Sequence, residues 1–326
     1  MTDKPIDKPV SAARRSIPAD AREDHWLARD GHPIRRLTMP ARGNGWDQRG
    51  SILFMPGRGD CYEKWLETLA GWAEQGWHVT AADWRGQGLS GRLGDDAMTG
   101  HIDDFGVWLD DYAALWSDWA AETPGPHIAV AHSMGGNLAL RAVVEHRVSP
   151  DALILSAPML GVHPTWVPNR LKRWTAQVLC ALGLSRRPAW KSSERPEVLP
   201  RARQDLLTHD DTRYADEQWW YAQRPGLQMG PASWGWVHQA LRSIEQIEER
   251  HILETIALPV LLLGTREDGL VSWPAIREAA ARLPNGELIG YGEGCAHEIL
   301  REVDAIRDHA LGEIEAFLKR VASARG

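Results

Sequence analysis

The stretch HIAVAHSMGGNLALRAV, residues 127–143, constrains the fold more than any other part of the chain. An apolar run over Ile128–Ala131 stops at His132 and Ser133; Gly135 and Gly136 follow, and a helical pattern begins. A short apolar run bounded by turn residues reads as a buried strand, and the periodic segment behind it as a helix. A strand that passes through so tight a turn into a helix belongs to proteins whose parallel strands are joined by crossover helices.

The rest of the chain keeps that rhythm. SILFMP (51–56), WHVTAAD (77–83) and DALILSAP (151–158) read as further strands. EKWLETLAGWAEQG (63–76) and DDFGVWLDDYAALWSDWAAE (103–122) read as helices between them. After Pro158 the alternation stops for some ninety residues rich in prolines, arginines and aromatics, with helical stretches only. It resumes with LPVLLLGT (258–265), a helix from Pro274, GELIGYG (286–292) and a long final helix. The expected fold class is α/β: a mostly parallel, doubly wound sheet. Its core spans 26–158 and 251–326, a helical insertion 159–250, and a loose tail 1–25.

Composition narrows the function. A formal net charge of −7 argues against general nucleic-acid binding. No run approaches the roughly 18 apolar residues of a membrane span. Arg14 and Arg15 are followed by no hydrophobic stretch, so a secretory signal is not expected. Cys61, Cys180 and Cys295 form no CxxC pair or disulfide ladder, which suits a reducing cytoplasm. No metal-ligand cluster or phosphate-binding glycine loop stands out, so no cofactor or metal is expected.

AHSMG (131–135), placed between strand and helix, has the context of a nucleophile elbow, the turn that lifts a serine hydroxyl clear of a sheet. The bland alternative makes Ser133 an ordinary helix cap. The partners decide between them, because a serine hydroxyl needs a base and the base needs an orienting acid. TREDGLV (265–271) puts Asp268 in the loop after one strand, and EGCAHE (293–298) puts His297 in the loop after the next. Groups at the carboxyl ends of strands in the order Ser, Asp, His fit that requirement. Glu267 is the rival acid; Asp268 is preferred because Leu270 and Val271 then begin the next packed segment. His132 reads as a neighbour rather than the base, since adjacent side chains on a strand diverge. The backbone N–H of Met134, at the helix N-terminus, and that of Arg58, in MPGRGD (55–60), are the candidate oxyanion-hole donors.

With these residues in view the chain resembles the α/β-hydrolases, within them the monoacylglycerol lipase and bacterial lysophospholipase L2 group. PGRGD (56–60), DWRGQGLSGR (83–92), AHSMGG (131–136), GTREDGLV (264–271) and CAHEILREVDAIRD (295–308) carry the resemblance. It implies the α/β-hydrolase fold, with Ser133 as nucleophile, Asp268 as acid and His297 as base. The activity implied is hydrolysis of lipid esters through an acyl-enzyme. Pro56 stands where relatives commonly have histidine, and Ala131 replaces the elbow's first glycine. DWRGQGLSGR reads as a structural brace. A general esterase or thioesterase on smaller acyl groups, and a non-catalytic lipid-binding module, remain alternatives.

The insertion falls where this family carries a helical lid. It holds seven of the 17 tryptophans: Trp166, Trp174, Trp190, Trp219, Trp220, Trp234 and Trp236. Between Trp166 and Arg203 stand nine Arg or Lys against two Glu. RLKRWTAQVLCALGL (170–184) sets Leu171, Trp174, Val178 and Leu182 at helical spacing beside Arg170, Lys172 and Arg173. Such a stripe either packs on the sheet domain, the commoner arrangement, or faces an anionic lipid surface as a peripheral contact. Either way the insertion supplies apolar wall for an acyl chain.

Overall fold

In the computed structural model, which describes residues 13–42, 49–190 and 200–323, eight strands form one sheet in the order β1-β2-β4-β3-β5-β6-β7-β8. The strands are β1 (Arg22–Leu27), β2 (Pro33–Met39), β3 (Gly50–Met55), β4 (Trp77–Ala82), β5 (His127–His132), β6 (Ala152–Ser156), β7 (Val260–Thr265) and β8 (Gly286–Tyr291). From β4 to β8 every pairing is parallel; β1 and β2 join antiparallel at one edge. The residues of β3, β5, β6 and β7 are buried throughout, apart from half-buried His127, as expected of parallel strands covered on both faces.

Helices α1 (Leu66–Glu74), α2 (Phe105–Glu122), α3 (Ser133–Val144), α8 (Trp273–Arg282) and α9 (Asp304–Ser323) make the crossovers and the closing element. The Asp104 side chain caps α2 by accepting from Gly106 N–H, and Ser272 caps α8 by accepting from Ala275 N–H. Five tryptophans serve this layer: Trp65, Trp72, Trp84, Trp108 and Trp119 are fully buried. Residues 159–250 add α4 (Asn169–Leu179), α5 (Pro200–Leu207), α6 (Asp211–Gln223) and α7 (Trp234–Glu248), and no strand among those described.

Two expectations need correction. The tail expected over 1–25 does not hold over its described part. Residues 22–25 already belong to β1, whose Trp26 is buried and hydrogen bonds to Asp118 at 2.8 Å. Upstream, Arg14 and Arg15 clasp Asp216 of α6 at 2.5 and 2.6 Å, and Trp220 Nε1 donates to the Arg14 carbonyl at 3.0 Å. Residues 1–12 lie outside the described residues. The second correction concerns the stripe on α4. It does not pack inward: only Ala176 of that helix is buried, while Trp174 is 62% and the following Leu182 69% exposed.

The clasp at Asp216 makes a direct expectation. In Asp216→Ala, limited trypsin digestion should cut after Arg14 and Arg15 several-fold faster than in the wild type. An unchanged rate would assign the anchoring to the Trp220 hydrogen bond.

Candidate functional site

β5 delivers Ser133 to the first position of α3 with a φ of 50°. A side-chain-bearing residue persists in that left-handed region only where its surroundings fix it. Here the Met159 N–H donates to the Ser133 carbonyl at 2.9 Å. A Cβ on Gly135 would stand 2.4 Å from the Pro56 oxygen, so only glycine lets α3 close on the end of β3. On the other side, a Cβ on Gly57 would lie 3.1 Å from the Ser133 Cβ. The loop carrying Arg58 therefore rests against the serine. Met134 sits in the first helical turn, where its N–H has no acceptor within the helix.

The loops after β7 and β8 bring the other two predicted groups to the same place. His297 Nε2 is 2.9 Å from Ser133 Oγ, and His297 Nδ1 is 2.7 Å from Asp268 Oδ2. The second carboxylate oxygen, Oδ1, accepts the Leu270 and Val271 N–H groups at 2.8 Å each. Asp268 is buried whereas Glu267 is exposed, so the carboxylate on the imidazole is that of Asp268. An ionised Asp268 takes the Nδ1–H, leaving Nε2 to accept from the serine hydroxyl.

Burial works against the charged forms of both partners, yet each wins stabilisation from the other. Desolvation would raise Asp268, but His297 and the two backbone N–H groups hold it below the ordinary carboxylate value. Desolvation would lower His297, but the charge and hydrogen bond of Asp268, with Glu298, raise it above the ordinary histidine value. His132 lies between Trp65 and His297, with ring centroids at 4.8 and 4.7 Å and its ring tilted 50° and 56° to theirs. Burial and the adjacent His297 push its pKa well down, so it stays neutral.

Ser133 and His297 open onto a cavity of about 680 Å³. Met159, Leu207, Met229, Trp236, Leu241 and Val271 are among the apolar residues that wall it. The Arg58 guanidinium lies across the Trp190 and Trp236 rings, 5.7 and 5.3 Å from their centroids, and reaches the Gly230 carbonyl at 3.3 Å.

Sequence reasoning missed the charged floor under this site. Lys64 Nζ is 2.6 Å from Glu298, 3.2 Å from Asp60 and 3.4 Å from Glu217. Arg203 pairs with Glu217 at 2.8 Å, and Arg301 pairs with Glu298. Asp60 also accepts from Gly57 N–H at 3.2 Å and from Trp65 Nε1 at 2.9 Å, which braces the Arg58 loop. The one local signal was Glu298, a charge directly after His297.

The fold and this constellation are those of an α/β-hydrolase with a serine, a histidine and an aspartate at three strand ends. The family model described as serine aminopeptidase, S33 (Hydrolase_4) matches residues 47–304, and the chain belongs to that family. Lysophospholipase L2 of Escherichia coli K12 is 32% identical over 292 residues, which cover 84% of this chain and 82% of that protein. The probable lysophospholipase L2 of Haemophilus influenzae is 26% identical over 277 residues, covering 83% and 84%. Among solved structures, a soluble variant of monoglyceride lipase from Saccharomyces cerevisiae in complex with a substrate analog superposes with a TM-score of 0.74. That match is 17% identical and covers 95% of this chain and 97% of the other. A thermostable carboxyl esterase from Bacillus coagulans gives 0.72 at 18% identity, covering 93% and 99%. These two likenesses concern the fold.

The raised His297 pKa has a measurable sign. The imidazolium is favoured, so the neutral form that can accept a proton is lost as pH falls through a midpoint above about 6.5. Side-chain NMR should place the His297 titration above that value and find it lower in Asp268→Asn, where burial acts without the opposing carboxylate. A wild-type midpoint at or below 6.5 would show that Asp268 does not hold the charged form.

Proposed function

We propose that the protein is a carboxylic ester hydrolase of lipids, a lysophospholipase or monoacylglycerol lipase, working through an acyl-enzyme on Ser133. The observation that carries this reading is the hydrogen-bonded series Asp268–His297–Ser133 opening onto a large, mainly apolar cavity. Ser133 Oγ attacks the ester carbonyl while its proton passes to His297 Nε2. Asp268 holds the tautomer that leaves Nε2 open and stabilises the imidazolium once formed. The carbonyl oxygen becomes an oxyanion, taken by the N–H groups of Met134 and Arg58. Collapse of the tetrahedral adduct expels the alcohol, which takes the proton from His297. Water, deprotonated by the same imidazole, then attacks the acyl-serine and releases the fatty acid.

The cavity lies within the range of roughly 300–1,000 Å³ common to small-molecule sites, and its walls suit an acyl chain. The Escherichia coli relative is a lysophospholipase, and the same chemistry is assigned here to this chain. A peripheral contact with an anionic membrane extends the reading. No helix among the described residues is long and apolar enough to cross a membrane. Trp166, Trp174, Val178 and Leu182 nevertheless stand exposed beside the exposed Arg170 and Arg187. An apolar helical face bordered by cations is suited to lie in a lipid headgroup layer. Leu171 and Thr175 on the same helix line the cavity, so its mouth opens beside that face.

Fatty-acid release from a long-chain lysophospholipid, a long-chain monoacylglycerol and a short p-nitrophenyl ester tests the chemistry. Ser133→Ala should lower turnover of the lipid substrates by at least about 10⁴-fold. Activity confined to the short ester would favour a general esterase, and serine-independent or absent turnover would refute the acyl-enzyme. The surface contact is tested separately by co-sedimentation with vesicles containing phosphatidylglycerol. Trp174→Ser combined with Leu182→Ser should reduce the bound fraction at least several-fold, with unchanged binding counting against the lid as the docking face.

A further inference from the structure

Four cations and two acids line the cavity: Arg58, Lys64, Lys172 and Arg203 against Asp60 and Glu298. Two of the cations are committed to buried carboxylates, Lys64 to Glu298 at 2.6 Å and Arg203 to Glu217 at 2.8 Å. Lys172, on α4, is held in another way. Its Nζ donates to the Val162 carbonyl at 2.6 Å and stands 3.4 Å from Asn169 Oδ1, both uncharged oxygens. Among the described residues no carboxylate forms an ion pair with it. The Asn169 amide is itself oriented by Glu248, to which its Nδ2 donates at 3.1 Å. An ammonium has three N–H donors, and these contacts occupy two.

Its place is as informative as its partners. Lys172 is half-buried, flanked on its helix by Leu171 and Thr175, which are exposed and yet line the cavity. That combination marks the mouth. Val162, the anchor, lies three residues beyond Met159, whose N–H is bonded to the Ser133 carbonyl. Three residues of extended chain reach at most about 10 Å, and Lys172 and Ser133 line the same cavity, so the ammonium and the serine hydroxyl face one space. A lysophospholipid whose ester carbonyl sits at Ser133 carries its phosphodiester just across the glycerol unit, whereas a monoacylglycerol carries only a hydroxyl there. A fixed ammonium with one donor unspent is a point-charge partner for a phosphoryl oxygen.

We infer that Lys172 forms a headgroup subsite at the cavity mouth that takes the phosphodiester of a lysophospholipid. This rests on the lipid-ester reading given above. It assigns the choice between the two substrate classes to one side chain of the insertion.

The test uses the full chain and two monomeric substrates of equal short acyl length, a lysophosphatidylcholine and a monoacylglycerol, each below its critical micelle concentration. In Lys172→Gln the ratio of kcat/KM, lysophospholipid over monoacylglycerol, should fall about tenfold, mainly through KM of the lysophospholipid. Lys172→Arg should restore most of that ratio. A merely structural role for Lys172 would lower both substrates together and leave the ratio unchanged, which would overturn the subsite. So would an unchanged ratio accompanied by weaker binding to phosphatidylglycerol vesicles, since the ammonium would then be reading bilayer phosphate. If the wild type hydrolyses neither substrate in a Ser133-dependent way, the lipid-ester reading itself fails, and that outcome is visible before any Lys172 variant is assayed.

Discussion

The left-handed backbone at Ser133 is the constraint on which the rest of the site depends. A φ of 50° at a residue with a side chain costs of order 1–3 kcal/mol, and nothing local repays it. What holds it is the fit of three elements around one point. β5 lies between β3 and β6 in the sheet, α3 closes on the end of β3 over Gly135, and the loop after β3 presses Gly57 against the serine. Because Gly135 lies on the Pro56 carbonyl and Gly57 abuts the Ser133 Cβ, the serine cannot relax without moving the Arg58 loop as well. The hydroxyl and the two candidate oxyanion donors are therefore one rigid unit, set by sheet packing rather than by their own side chains.

A second device extends that rigidity to the base. The Lys64 ammonium gathers carboxylates from three separate segments: Asp60 of the Arg58 loop, Glu217 of α6, and Glu298 next to His297. With Arg203 and Arg301 the cluster balances, three cations against three anions. Burying charges costs several kcal/mol each, so the network is weak evidence for net stability; breaking it by removing one member leaves an unpaired charge in a dry place. Its effect is one of register. It fixes the distance between the loop that bears His297 and the loop that bears Arg58, and it bolts α5 and α6 of the insertion to the core. Among the described residues no such buried cluster reaches α4, whose half-buried Arg173 pairs with Glu245 of α7 at 2.8 Å.

How much of this the sequence disclosed depended on whether the cause was local. The elbow was legible because a strand, a serine and two glycines are neighbours in the chain. Asp268 could be preferred to Glu267 for a related reason: Leu270 and Val271 begin a packed segment, and in the structure their N–H groups bond to the Asp268 carboxylate. β1 and β2 escaped notice because REDHWL, at the sheet edge, and PIRRLTM, next to it, are interrupted by charged residues, the buried Arg35 among them, and hold no continuous apolar run. The tryptophans drew attention to the insertion, yet five of the fully buried ones stack in the core, where α1, α2 and β4 need large apolar volume. The Lys64 cluster was not legible as a cluster, since Lys64 and Glu298 lie 234 residues apart and each member looks like an ordinary surface charge. The direction in which the α4 stripe faces was equally undecidable, because periodicity gives the width of an apolar face but not its partner.

These features divide the molecule by stiffness in a way that suits its substrate class. At the reacting centre, groups must be held in place before the transition state forms, since donors that reorganise during reaction stabilise it less. The strained turn and the charge cluster supply that fixity. At the mouth the demands differ: a lipid must leave an assembly, and its tail must enter a cavity walled largely by side chains of the insertion. An exposed apolar helix face there would be a liability in a protein that meets only water, because contiguous apolar surface invites association. It becomes an asset only where the surrounding phase is itself apolar. On the function proposed here, the rigid floor and the apolar rim favour one direction of approach, with the ester reaching Ser133 tail-first into the cavity and its polar end left at the level of α4.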